Sequence, residues 1–279
     1  SDYGMPALPR SQNRRFGGPG QMTSEAKNAV GWNAAIKAEN EAAKVFQINE
    51  VKAKDLRSAG FGLVNSHIQD GIVRGTGSLV SLESESANIA LIKPVSTAHF
   101  SFSKGSSTQD YPGSLMGVIA LIRQTFMDAK WYKSNPPAEG TNLSLASFNQ
   151  LLQYPMIIEA GDKWNDLRAA KIGQEFGVPF IIVAGGNEYQ RINDIKMAGS
   201  KMIVPINFPN VQDVDDPNDA RLIALADMKH WEMAPANPGS LEKAGVSFAL
   251  TASGLKDAAS FKSNLQKAIL NGLSEAYAL

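Results

Sequence analysis

The chain has 279 residues, no cysteine, and 27 basic against 27 acidic side chains, with 43% of its residues hydrophobic. That length supports a large core and is read here as a single domain. The charge balance gives no global attraction for nucleic acid or an anionic membrane surface, so neither is expected as a partner, and the missing thiols exclude disulfides, cysteine nucleophiles and cysteine-held metals.

No apolar run approaches the roughly 20 residues that a membrane helix needs. The opening SDYGMPALPR has no signal-peptide pattern, so the compartment stays open. Residues 1–35 are rich in Gly, Pro, Asn and Arg and read as an irregular loop lying over the strand-end face. Within it RSQNRRFGGPG carries Arg10, Arg14 and Arg15, whose N–H donors suit a carboxylate or phosphate, although a solvated loop is the plainer reading.

An apolar period from Asn40 to Arg57 predicts a helix closed by Gly60. FGLVNS (61–66) predicts a strand, and GIVRGTGSLVSL (71–82) and ANIALIKPVSTAHFSF (87–102) predict further extended segments, with Gly71, Gly75 and Gly77 as turns. Leu115, Val118, Ile119, Leu121, Ile122, Phe126 and Ala129 fall on one face of a long helix from Ser114 to Lys133, stopped by Asn135-Pro136-Pro137. A second helix covers Ser144 to Gln153.

The pattern then alternates: strand 156–160, helix 164–175, strand PFIIVAGG (179–186), helix 188–199 and strand KMIVPINF (201–208). A polar loop, NVQDVDDPNDA, precedes helices at 220–231 and 240–244, strand VSFALTASG (246–254), and helices at 256–270 and 274–279. Near-continuous Ile/Val strands, each followed by a helix, imply parallel strands covered on the outside. No G-x-G-x-x-G occurs across the four strand–helix units from 156 to 272, which favours a TIM-type (β/α)8 barrel over an open doubly wound sheet. Six or seven strands are visible, so at least one strand is expected at or before Ser1.

In such a fold the chemistry gathers at the C-terminal ends of strands. Those ends carry Asn65, Ser66 and His67, then His99, Glu159, Gly185 with Gly186 and Glu188, Asn207, and Thr251 with Ser253 and Gly254. Glu159 precedes Asp162, Lys163 and Asp166, so it either caps and pairs within the next helix or acts as a general base. His67 and His99 read as functional groups or as satisfied polar histidines, and His230 beside Trp231 reads as packing or surface. No H-x-H, H-E-x-x-H or G-x-S-x-G is present, and Gly105-Ser106-Ser107 lacks phosphate-cradling spacing.

YPGSLMGVIALIRQTFMDAKWY (111–132), followed in order by IIEAGDKWNDLRAAKIGQEFG, IIVAGGNEYQRINDIKMAG, KMIVPINF and GVSFALTASG, resembles imidazolonepropionase-like members of the amidohydrolase superfamily over essentially the whole chain. The resemblance implies a metal-dependent barrel with a small β-sandwich built from both chain ends. The family's ligands are an H-x-H pair at the first strand, histidines at the fifth and sixth, and an aspartate at the eighth. Here Asp2, Glu159, Gly185 and Gly254 fall at the second histidine of the pair and at those three later positions.

The resemblance therefore implies an amidohydrolase-like barrel without the usual metal centre, incomplete at its N-terminus and lacking the sandwich. No cofactor is expected beyond a residual divalent ion such as zinc held by the two carboxylates. Its role is read as a binding or structural domain of a longer polypeptide, with a small-molecule ligand, a homodimer or an active amidohydrolase domain as partner. The alternative is a hydrolase of C–N bonds in cyclic amides or peptide-like compounds that uses Glu159, Asp2, His67 or His99.

Overall fold

The computed structural model describes residues 1–8, 21–24, 29–83, 86–135 and 140–278. Arg10, Arg14, Arg15 and the Pro136-Pro137 helix stop lie outside them. The protein is an α/β fold whose chain divides into two compact units, Ser1–Glu159 with Phe176–Val178, and Ala160–Glu175 with Pro179–Leu279.

The first unit holds strands β1 (Leu63–Ser66), β2 (Val73–Ser81), β3 (Leu91–Ser101) and β4 (Met156–Glu159). β1, β2 and β3 form an antiparallel meander, and β4 lies parallel to β3 with Ser101 opposite Glu159. Parallel neighbours need a long crossover. The helices Leu115–Ser134 and Leu143–Leu151 supply it, and their Phe126 and Phe148 pack edge-on at 5.0 Å beneath Phe100 of β3. Phe176 stacks on Phe126 at 4.5 Å. A second cluster of Tyr3, Phe46, Ala53, Val80, Leu82 and Ala90 lies beneath β2.

Two sequence-based expectations change here. The helix expected over 40–57 breaks into Ala42–Val45 and Glu50–Ala59. Asn49 caps the second piece by accepting from the Lys52 N–H, Gln47 donates its backbone N–H to the Gly4 carbonyl, and buried Phe46 meets Tyr3 edge-on at 5.7 Å. Tertiary pairing with the chain start has overridden the apolar period.

Gly75 and Gly77 are also not turns; β2 runs through both. At Gly75 (φ +84°) a Cβ would fall on the Asn40 carbonyl, so the missing side chain lets residues 36–41 run beside β2, bridging Ile36 to Val73 and Glu41 to Thr76. The described parts of the opening loop are irregular, as expected, and Gln109 holds them: it accepts from the Ala34 N–H and donates to the Met22 and Trp32 carbonyls.

The second unit contains β5 (Ile181–Val183), β6 (Lys201–Pro205) and β7 (Phe248–Thr251), parallel and in sequence order. A 3-10 turn, Glu188–Arg191, and the helix Ile192–Ala198 follow β5; helices Pro217–Leu222, Leu225–Met233 and Asn237–Ala244 follow β6; and helix Ser260–Leu270 follows β7. The polar loop after β6 ends earlier than expected, because Asp216 caps at the Asn218 N–H and Pro217 occupies the first helical position. Seven strands are found among the described residues, and the first three, expected as consecutive extended segments, form an antiparallel meander.

Candidate functional site

Three of the four sequence-derived site residues meet in the first unit. His67 directly follows β1, His99 lies near the end of β3, and Glu159 ends β4. Sheet order brings them together, since β2 pairs on both sides and places Gly75 opposite His99. The two imidazoles stack face to face, centroids 3.6 Å apart and planes within 4°. Both rings are about 96% buried, each showing 4% exposure.

Arg74 of β2, which the sequence reading did not single out, completes the cluster. Its guanidinium lies 2.8 Å from Glu159 Oε2 and 3.4 Å from His67 Nε2, and its Nε donates to the Gly71 carbonyl at 3.3 Å. Glu159 Oε1 stands 3.7 Å from His67 Nε2, and its side chain is 35% exposed, so the carboxylate is the group through which solvent reaches the cluster. On the far ring, His99 Nε2 lies 2.8 Å from Thr97 Oγ1 and 3.2 Å from Asn65 Oδ1. Gly77 makes room for this closure: a Cβ there would stand 2.5 Å from Asn65 Oδ1, 2.5 Å from His99 Nε2 and 2.6 Å from Thr97 Oγ1.

Burial first, then the positive charges of the Ser1 amino group and of Arg74, hold His67 well below its ordinary pKa. His99 is held down by burial and by His67 itself. Both rings are therefore neutral near pH 7. A guanidinium only donates, so the His67 Nε2 facing it accepts, which puts the ring proton on Nδ1. That Nδ1 is buried and has no hydrogen-bond partner in the structure. A neutral imidazole beside a guanidinium–carboxylate pair can accept a proton, and Arg74 can hold an oxyanion or carboxylate.

Asp2 is not part of this arrangement. Its carboxylate bonds Lys52 Nζ at 3.0 Å on the surface, with 59% of the side chain exposed. Tyr3, two residues from the chain start, is fully buried on Phe46 and fixes that orientation.

The resemblance-derived metal positions can be tested for room. A Cβ on Gly185 would fall on the Gly161 carbonyl oxygen and stand 2.8 Å from Asp162 Cα. At Gly254 (φ +81°) a Cβ would meet the Asn207 side-chain amide. At 185 the obstacle is backbone, whereas at 254 it is the movable Asn207 side chain together with a left-handed φ that disfavours any residue but glycine. A protein-held transition metal takes three or four donors around one point. Among the described residues no three His, Asp or Glu side chains converge in that way. Parallel imidazoles 3.6 Å apart cannot both aim a ring nitrogen at one ion. The residues present do not fit the family's metal centre.

The second unit holds a buried carboxyl pair, of which the sequence reading marked only Glu188 as a strand-end residue. Glu188, fully buried, accepts from the Gly185 and Gly186 N–H groups at 2.9 Å each, from Asn187 N–H at 3.2 Å, and from Asn237 Nδ2 at 2.6 Å. Asp166, also buried, has neither oxygen satisfied by a conventional donor. Burial first, and then the Glu188 carboxylate, push its pKa up to about 9. Asp166 is thus a neutral acid that can share its proton with Glu188. In the sequence Asp166 stands only as an acidic residue following Glu159; the signal it offers is a third carboxyl on the helical repeat after Glu159 and Asp162.

No protein-family model and no curated protein matches the sequence. Among solved structures, an amidohydrolase from Thermotoga maritima superposes with a TM-score of 0.67 over 93% of this chain and 70% of its own, at 18% identity. At that identity the likeness shows the fold alone. The chain has an amidohydrolase-like α/β fold.

Proposed function

We propose that this chain is an amidohydrolase-type (β/α)8 barrel relative that works without the family's metal centre, as a binding or structural domain for a small molecule or a partner protein. The observation that carries this reading is steric: the Gly161 backbone fills the space beside Gly185, and the Asn207 amide fills the space beside Gly254. Ligand loss there is accompanied by closure of the space a ligand would occupy. Protein purified without chelator and analysed for zinc, iron, manganese and nickel should contain far less than one equivalent of each. A full equivalent of one metal, with hydrolysis of a cyclic amide such as hydantoin, would overturn the reading.

A second reading, hydrolysis of a C–N bond without metal, has one observation in its favour: a buried, neutral His67 whose Nε2 stands 3.7 Å from Oε1 of a Glu159 carboxylate open to solvent. Under it Glu159 and neutral His67 manage the proton of an attacking water, while Arg74 steadies the oxyanion. Glu159→Gln would then abolish turnover of hydantoin or dihydrouracil with the fold retained. Turnover unchanged in that variant removes Glu159 from the mechanism.

A further inference from the structure

The second unit holds a cavity of about 380 Å³ beyond the C-terminal ends of β6 and β7, within the range of small-molecule sites. Ligands of open and closed α/β sheets bind at that edge of the strands. Asn207 and Phe208 follow β6, Lys256 follows β7, Asn264 and Lys267 come from helix Ser260–Leu270, and Trp231 comes from helix Leu225–Met233. No aspartate or glutamate lines the cavity. Among the described residues neither Lys256 nor Lys267 takes part in an ion pair. The nearby Asp257 carboxylate accepts from the Ala259 N–H at 2.9 Å and lies outside the lining.

The lining therefore carries two positive charges without an ion-pair partner beside the aromatic faces of Phe208 and Trp231. Lys267 Nζ stands 5.8 Å from the Phe208 ring centroid, so its charge sits over an aromatic face and not beside an anion. Asn264 is fixed by donating to the Ile206 carbonyl at 2.7 Å, which anchors this wall to the end of β6. Both lysines line the one cavity, so an anion in it can be met by both ammonium groups, and the indole and phenyl faces give a flat apolar group area to cover.

We infer that this cavity binds a small organic anion, its carboxylate or phosphate held between Lys256 and Lys267 and its planar apolar body against Phe208 and Trp231. The cavity shares Asn207 and Gly254 with the steric argument about position 254 but uses none of His67, His99, Arg74, Glu159, Gly185 or Gly161, and its test reads anion binding, which fails separately from a metal analysis.

The test is calorimetric titration of the full chain with phenyl phosphate, 3-phenylpropanoate, inorganic phosphate and benzylamine, at low salt and at roughly 0.5 M salt. Saturable binding of phenyl phosphate or 3-phenylpropanoate is expected, tighter than inorganic phosphate, weakened by salt, and absent for benzylamine. The tighter of the two aromatic anions identifies the headgroup. Lys256→Gln with Lys267→Gln should weaken binding by about tenfold or more, with the circular dichroism spectrum unchanged because both lysines are exposed. Trp231→Ala should weaken the aromatic anions while leaving inorganic phosphate unaffected. Equal binding of benzylamine, no binding of either aromatic anion, or undiminished affinity in the double lysine variant would each overturn the proposal.

Discussion

At the scale of single residues, the protein keeps several ionisable groups neutral by burying them, and the direction of each shift fixes its behaviour with pH. Asp166 has its folded pKa raised to about 9 from 3.8. Below pH 4 the carboxyl is protonated folded or unfolded and costs nothing; as pH rises from about 4 to 9 only the unfolded chain ionises, and stability falls. Asp166→Asn keeps the shape and removes the titration. Urea unfolding across that range should lose a slope of about 1.4 kcal/mol per pH unit. An unchanged slope would mean that Asp166 is ionised in the fold. Glu159→Gln leaves buried Arg74 with a neutral acceptor, and because Glu159 is partly exposed the expected loss is only about 1–2 kcal/mol by the same method. His67, His99 and Glu159 were legible in the sequence because strand ends can be read from apolar runs. Arg74 was not, since an arginine inside a glycine-spaced strand shows no periodicity that says which face it takes. The position of Asp2 depended on Tyr3 being buried, which no local pattern reveals.

At the scale of elements, the glycines of β2 decide how closely the cluster packs. Gly77→Ala would put a methyl group within 2.5–2.6 Å of Asn65, Thr97 and His99 side-chain atoms. Overpacking of this kind costs about 1–3 kcal/mol. We expect a lowered urea midpoint together with a shifted His99 ring resonance; a lowered midpoint with an unmoved resonance would show that the strand had yielded elsewhere. From Met156 onward the sequence was a good guide to elements, because each strand is a compact Ile/Val run followed by a turn and a helical period. Before it, antiparallel strands, close backbone approaches and a helix broken by Asn49 depend on partners distant in the chain. Apolar periodicity says which residues are buried, and leaves open against what.

At the scale of the whole molecule, the buried histidines of the first unit and Asp166 of the second respond to pH in opposite directions. In the first, His67 and His99 stay neutral while the unfolded chain takes up protons below its ordinary 6.5, so the stability present above that pH is lost as pH falls. Asp70 acts in the same sense: burial alone would raise its pKa, but bonds from Lys37 and Ser106 outweigh burial and hold it low. In the second unit, Asp166 makes stability fall as pH rises. Hydrogen exchange corrected for intrinsic rates should therefore show the first unit losing protection below about pH 6.5 and the second losing it toward pH 9. Protection changing with one sign throughout would place the protons elsewhere. The Gly185–Gly161 approach also bears on descent. A side chain arriving at 185 alone collides with the Gly161 and Asp162 backbone. A side chain at 185 is therefore tolerated only with a second change that moves the Gly161 turn, a coupled pair that single substitutions, each screened for stability, rarely complete.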